Sequence, residues 1–390
     1  MIWRWIIKTI FFTQIFFAND NIEIKGDIGG DYISYSNSQN DILNRGKAIF
    51  DLKKEKWKLN TEIDFFYSQN YKKKRDLYFN ELYTTLENRE YTFKIGKQVL
   101  FWGELEGYNI IDVFNSKNTI LDIFDKSQKK GAWSLIAKKF EENSNIEIGT
   151  KVYEEDNSYL DNKSPYYFFT LPYNKKLEIN NRYSPTTYIK YNFSTDENLE
   201  SDTNIIFQNG YDNKRYFAPL DGKITQYAYR VNKIMLSSNI IYNDIIFKIE
   251  SSYTDIINEN KMSNYRQLGF GFENGFYNID NIDISLYLEY YYYDYLNNHK
   301  LKNVDISELY NNDIFMALRF AINNTKDSEL KIGFLKDTQN NEIISKLEIK
   351  SRLIDSLVLS GEALHFSNDF KTYPKLSNHT RIIMGIKYFF

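Results

Sequence analysis

From Ile22 onward, apolar and polar residues take turns along stretch after stretch of the chain. Between Ile22 and Tyr32, the set Ile22, Ile24, Gly26, Ile28, Gly30 and Tyr32 stands against Glu23, Lys25, Asp27 and Asp31. Between Trp57 and Tyr67, the set Trp57, Leu59, Ile63, Phe65 and Tyr67 opposes Lys58, Asn60, Glu62 and Asp64. A period of two belongs to a β-strand with unlike faces. A one-residue slip would carry charged groups to the wrong face, so the register is strongly specified. The pattern predicts strands near 22–35, 44–54, 57–68, 77–87, 90–98, 131–140, 145–153, 186–194, 201–210, 230–241, 244–254, 264–274, 280–294, 311–321, 328–337, 342–352, 356–366 and 379–390. It is weakest at 131–140, 201–210 and 230–241. A tilted membrane strand needs about 9–11 residues, whereas strands of soluble sheets average about five or six. The predicted lengths fit the membrane.

The connections alternate too. Short ones fall around Glu55-Lys56, Asn88-Arg89, Asn143-Ser144, Asn243 and Asp355; between them lie longer ones at 36–43, 69–76, 99–130, 154–185, 211–229, 255–263, 295–310 and 367–378. The turn 195–200 is longish and the loop 338–341 short. Short turns on one rim and long loops on the other describe an outer-membrane barrel. The expectation is an all-β, antiparallel transmembrane barrel of about 18 strands, with 16 as the alternative. A soluble sandwich does not suit so densely charged a polar face, and a β-helix would show a fixed short repeat that is absent here.

The last strand carries a resemblance. Ile382, Met384, Ile386, Tyr388 and Phe390 alternate with Arg381, Gly385 and Lys387, and the chain ends on the aromatic. The ending Gly385-x-x-Tyr388-x-Phe390 resembles the C-terminal assembly signal of bacterial outer-membrane barrels. That resemblance implies outer-membrane lipids and the barrel-assembly machinery as partners. Taken alone, the segment also suits an edge strand of a soluble sheet.

Composition changes little. The 390 residues include no Cys, 33 Tyr, 29 Phe and only 5 Pro, a supply of strand formers. Mean hydropathy is -0.54, as expected where only every second strand residue meets lipid. Residues 1–18 read as a secretory signal: Arg4 and Lys8 precede an apolar core from Ile10 to Phe17, and Ala18 offers a cleavage site. The single barrel domain is then 19–390. Removing Arg4 and Lys8 moves the formal charge from -3 to -5, a balance that argues against a nucleic-acid partner.

With the apolar set toward lipid, the lumen wall carries Glu62, Asp64, Glu81, Lys94, Arg319, Glu348 and Lys350, among other charges of both signs. Placing a Lys or Arg of this set at the lipid midplane would cost about 2–4 kcal/mol. These charges either serve a solute or merely pair off as a solvated wall. Tyr287, Tyr290, Tyr291, Tyr292, Tyr293 and Tyr295 read as half interfacial girdle and half an inward surface able to stack against solutes.

One motif stands out, Gly96-Lys-Gln-Val-Leu-Phe-Trp-Gly-Glu-Leu-Glu-Gly-Tyr-Asn-Ile-Ile-Asp-Val-Phe-Asn115. It resembles the signature of a family of porin-related outer-membrane barrels of undefined function: Gly-(Arg/Lys)-Gln, then Trp-Gly, then a hydrophobic-Asp/Asn-x-hydrophobic-Asn-Pro segment. Gly96, Lys97, Gln98, Trp102, Gly103, Asn109, Asp112, Val113 and Asn115 match, while Ser116 replaces the proline. The resemblance implies transport rather than catalysis. Physically, the 99–130 loop is long enough to be functional and too apolar to lie in water. It is expected to fold inward and narrow the pore, with cover from Phe66 and Tyr83, and with Glu104, Glu106 and Asp112 forming a negative face that pairs with Lys97 and lumen cations. The plainer reading is that the motif only fastens the loop to the wall.

No enzyme signature emerges. His299, His365 and His379 lack metal-ligand spacing, and Gly269-Phe-Gly271 lies in a strand without a following helix. No cofactor is expected. The reading is an outer-membrane channel passing an unidentified small solute; the rivals are a plugged barrel serving as receptor or adhesin and a barrel-embedded hydrolase.

Overall fold

The structure is a computed structural model, and it describes residues 22–72, 74–122, 125–159, 164, 167, 171–196, 199–296, 310–340, 342–367 and 374–390. The expected signal segment 1–18 lies outside the described residues. The strands, in chain order, are β1 (Ile22–Tyr35), β2 (Asn40–Lys54), β3 (Trp57–Ser68), β4 (Arg75–Glu87), β5 (Tyr91–Gln98), β6 (Ala132–Phe140), β7 (Ser144–Lys151), β8 (Tyr173–Glu178), β9 (Thr186–Thr195), β10 (Glu200–Tyr211), β11 (Tyr216–Leu220), β12 (Lys223–Tyr227), β13 (Arg230–Tyr242), β14 (Ile245–Ile257), β15 (Tyr265–Ile279), β16 (Ile282–Tyr295), β17 (Asp313–Ile322), β18 (Glu329–Asp337), β19 (Ile343–Ile354), β20 (Leu357–Phe366) and β21 (Arg381–Phe389). All but β8, β11 and β12 join one 18-stranded antiparallel sheet.

Each barrel strand pairs with the next, and β21 returns to pair with β1 from Asp27↔Phe389 to Tyr35↔Arg381. Phe390 extends this seam, its N–H and C=O bonding Gly26 at 3.0 and 2.9 Å. Closure leaves no sheet edge, which lipid requires because it offers no hydrogen-bond partner. The even strand number brings Ile22 and Phe390 to the same rim.

The alternation has the consequence its chemistry demands. Outward residues are large, apolar and exposed, among them Leu77, Phe79, Phe93, Ile95, Ile234, Ile349, Ile382 and Met384. Inward residues are charged and paired: Lys47 lies 2.8 Å from Glu62 and 3.9 Å from Asp64. A Cys replacing Glu62 or Asp64 should react with a water-soluble thiol reagent, whereas one replacing Ile63 or Phe65 should be shielded by lipid. Equal labelling at adjacent positions would overturn this register.

The short-turn rim is built from residues that tolerate positive φ. Asn243 and Asp244 have φ of 49° and 66°, and Asp280 and Asn281 have 50° and 64°. Such two-residue turns match the twist of the strands they join, and Asn and Asp accept this conformation best after glycine.

All eighteen expected barrel strands are present, with shifted ends. The first long loop is shorter than expected, because β2 begins at Asn40 and the β1–β2 hairpin zips to Ser34↔Asn40. Asp41, polar and loop-like in sequence, is instead a buried inward residue receiving the Ser68 hydroxyl at 2.7 Å. Three short strands were not expected: β11 and β12 form a hairpin, and β12 runs parallel to β8. This small sheet belongs to the two connections β7–β9 and β10–β13, on the long-loop rim.

Candidate functional site: a loop seated in the lumen

The 99–130 loop leaves the wall between β5 and β6 and crosses the barrel interior. Its stem is fixed first. The Asn115 side chain accepts the Leu100 N–H at 2.8 Å and donates to Gln98 O at 3.0 Å and Lys130 O at 2.8 Å, tying both ends of the loop together. Gln98 donates to Ser134 Oγ at 2.9 Å, and Val99 N–H donates to Glu81 Oε1 at 2.7 Å. Glu81 follows a bulge in β4, where Asn80 is an extra residue opposite β3. Asn80 turns into the barrel and accepts the Gly131 N–H at 3.0 Å.

The loop's tip meets the opposite wall. There, one carboxylate collects a turn of backbone. Glu250 on β14 accepts N–H bonds from Glu104 at 2.5 Å, Leu105 at 3.1 Å, Ile110 at 2.6 Å and Ile111 at 3.2 Å, and from the Asn109 amide at 3.2 Å. Glu289 on β16 accepts Glu106 N–H at 2.6 Å and Gly107 N–H at 2.9 Å, and the Tyr291 hydroxyl accepts Tyr108 N–H at 2.8 Å. Charged acceptors give hydrogen bonds roughly twice as strong as neutral ones.

Packing reinforces this seat. Trp102, Leu105, Ile110, Ile111, Val113 and Phe114 are buried together with wall residues Tyr188, Ile206, Met235 and Tyr291. The Trp102 ring stands edge-on to Tyr188 at 4.8 Å. Gly269 on β15 makes room for this cluster: a Cβ there would come within 2.5 Å of Leu105 and 2.9 Å of Ile110. Gly103 has φ +127°, and a Cβ on it would strike Asn109 at 2.4 Å, so only glycine lets the turn close.

The loop's return half docks elsewhere. Ile120 and Leu121 pack against Ile33, Tyr35, Leu43 and Phe66, and Asp122 pairs with Arg381 of β21 at 2.6 Å. Phe66 therefore provides cover as expected, but for the return half; Tyr83 is absent from both clusters.

The charged motif residues go to different places. Glu104 accepts from Asn239 and lies 3.4 Å from the Ser237 hydroxyl, while Glu106 is half-exposed, 3.6 Å from Lys248. Asp112, expected on the loop's negative face, is buried and ion-paired with Lys129, and it also receives Trp102 N–H at 3.4 Å. Burial pushes its carboxyl above the usual range against the pull of Lys129, and burial lowers Lys129 against Asp112. Lys97 does not meet these acids. It stands in register with outward-facing Leu82 and Trp133, and its ammonium donates to Phe79 O at 3.0 Å and lies 3.8 Å from Glu155.

On its long-loop side the loop is covered. Asn213 donates to Asp112 O at 3.1 Å, Lys151 to Phe114 O at 2.9 Å, and Lys117 N–H to Asn157 at 2.9 Å. Beside it a cavity of about 710 Å³ remains, bounded by Glu106, Gly107 and Lys126 of the loop and by the wall from β17 to β2. Arg319, Glu348 and Lys350 line this cavity, as does Tyr287. Glu62, Asp64 and Lys94 belong to the β3–β5 wall instead, with the Lys94 ammonium 5.6 Å from the Tyr83 ring. Among the tyrosines of β16, Tyr290 is outward and Tyr291 is consumed in holding the loop. At the seam, Gly385 faces Asp31 and Tyr388 is outward. Among the described residues no group of His, Asp and Glu could hold a metal ion.

Glu250, Glu289, Tyr291 and Gly269 were not singled out from sequence as a receptor for the loop. They stand far from it along the chain, and nothing local marks them beyond inward parity.

No family model matches the chain, and no curated protein matches it in sequence. Solved structures share its fold. OccAB4 of Acinetobacter baumannii aligns over 96% of this chain and 99% of its own at 10% identity, with a TM-score of 0.55. OccD3 (OpdP) of Pseudomonas aeruginosa aligns over 95% and 91% at 8% identity, with a TM-score of 0.52. Wzi of Escherichia coli, described as a carbohydrate-binding β-barrel involved in group 1 capsule assembly, aligns over 93% and 83% at 9% identity, with a TM-score of 0.52. At such identities the likeness is one of fold, and the fold of this chain is the closed antiparallel β-barrel of bacterial outer-membrane proteins.

Proposed function

We propose that this chain is an outer-membrane channel that passes small solutes along the side of the lumen left free by the 99–130 loop, with that loop as the constriction. The observation that carries the reading is the cavity of about 710 Å³ between the loop and a wall of mixed charged and apolar side chains. A barrel of this strand number encloses an aqueous channel unless something fills it. The motif residues Gln98, Trp102, Gly103, Asn109 and Asn115 serve this function by fixing where the loop sits, and they support membership of the porin-related family whose signature they resemble. Outer-membrane lipids surround the apolar belt, and the Gly385–Tyr388–Phe390 ending serves as the signal to the assembly machinery.

The test is planar-bilayer recording on the refolded protein. Discrete conductance steps are expected, and a folded barrel that carries no current would refute the channel. A second reading, a plugged barrel acting as a surface receptor, is favoured by the loop's contacts with both walls and by its cover of neighbouring loops. Absence of current would put that reading first.

A further inference from the structure

We propose that the cavity beside the loop takes an uncharged solute that has one apolar face and several hydroxyl groups. The inference rests on the channel reading and deepens it by naming the class of solute. Cross-strand partners lie level, so the wall is built in layers. Nearest the long loops, Phe315, Leu335 and Ile344 are successive inward partners. One step down, Tyr287 is followed by Ala317 and Gly333. Below them come Arg319, Lys331 and Glu348. All of these line the cavity.

The upper two layers are largely apolar although they face the lumen. Phe315 and Ile344 pack partly buried against the loop cluster. The small side chains of Ala317 and Gly333 set the wall back between Phe315 and Arg319, beside the Tyr287 ring. An apolar face laid on this surface is removed from water. A ring against Tyr287 or Phe315 adds an aromatic contact.

The charged layer offers little to an ion. Seven cations and seven carboxylates line the cavity, so no net charge draws an ion of either sign. Glu329 receives Arg319 Nε at 2.7 Å and holds Lys350 at 3.3 Å and Lys331 at 3.8 Å. Lys346 lies between Glu348 at 2.8 Å and Glu362 at 3.3 Å. Arg45 has Asp31, and Arg381 has Asp122 and Glu362. On the loop, Lys126 donates to Leu105 O at 2.9 Å, and Asp125 accepts the Ser127 N–H and hydroxyl at 2.9 and 2.6 Å. An entering ion would shed its hydration among groups already committed. Hydroxyl groups differ, because each both donates and accepts. They can bond a carboxylate lone pair and an ammonium N–H without separating the pair. Phe315 and Arg319 stand four residues apart on β17, about 13 Å. A solute of two linked rings therefore meets both layers.

The experiment is calorimetric titration of the folded protein in amphipol with phenyl β-D-glucoside, the anionic phenyl β-D-glucuronide, the cationic phenyl β-D-glucosaminide and glucose. The glucoside should bind about tenfold more tightly than either charged analogue, since neither charge finds a free partner. Glucose lacks the apolar ring and should bind about tenfold more weakly than the glucoside. Tyr287→Ala should weaken the glucoside about tenfold and leave glucose unchanged, in a barrel as heat-modifiable as the parent's. Glu329→Gln leaves Arg319, Lys331 and Lys350 without their shared carboxylate, and it should move the preference to the glucuronide. No binding of the glucoside, equal affinity for the three charge states, or a parent that prefers a charged analogue would overturn the proposal, as would a Tyr287→Ala variant that keeps the parent's affinity. The titration needs no current, so this proposal and the channel reading fail by separate measurements.

Discussion

Replacing Glu250 with alanine is expected to free the 99–130 loop from the barrel wall while leaving the barrel assembled. Glu250 is fully buried and is the acceptor for the N–H groups of Glu104, Leu105, Ile110 and Ile111. A buried donor left without a partner costs about 1–3 kcal/mol. Four lost together match or exceed the roughly 3–5 kcal/mol lost when a buried tryptophan is truncated. The barrel does not depend on this side chain, because β14 holds its neighbours through backbone pairs Ser237↔Glu250 and Glu250↔Gly269. Limited proteolysis should therefore cut within 104–111 in the variant and not in the parent, and conductance should rise. Glu250→Gln keeps the volume but retains one acceptor oxygen and turns an NH₂ toward the remaining N–H groups. It should release the loop nearly as well, which separates loss of the acceptor from loss of packing. A glutamine variant with full protease resistance would show that the apolar contacts, with Glu289 and Tyr291, hold the loop without the Glu250 carboxylate.

The distinction between barrel and seat also explains what the sequence made legible. Strands such as Trp57–Ser68 were readable because lipid and water impose opposite demands on alternate residues, and that demand is local. The β2 start was misplaced because Asn40 and Asp41 resemble loop residues, and it takes pairing with Ile33 of β1, the Ser68 hydroxyl reaching across from β3 and the buried Lys74 ammonium at 3.9 Å to make a strand position of Asp41. Strands β11 and β12 span five residues each and include Pro219, too short and irregular for a period to register. The motif from Gly96 to Asn115 announced a docked loop through its apolar content. Its receptor was silent: Glu250 and Glu289 looked like any inward charges, and Asp112 looked like one more. Which acid meets water and which meets Lys129 depends on how the loop crosses the lumen, a matter of contacts between distant residues.

Gly269 allows the same distinction to be tested with the opposite sign. Its missing side chain leaves the space that Leu105 and Ile110 fill, and Gly271, two residues on, does the same for Leu105 at 2.8 Å. Glycine inside a strand weakens it, and valine is among the best strand residues. Gly269→Val should therefore leave the barrel as heat-stable as the parent or more so. The same methyl groups would overlap Leu105 and Ile110, and overpacking of this kind costs about 1–3 kcal/mol. Loop protection from protease should fall even as the barrel's resistance to heat holds or rises. Leu105→Ala in the Gly269→Val background empties the space again and should restore part of the protection, a non-additive result that only residues in contact give. Were Gly269→Val to leave the loop fully protected, Leu105 would not be the knob that seats it, and the two carboxylates would carry the docking alone.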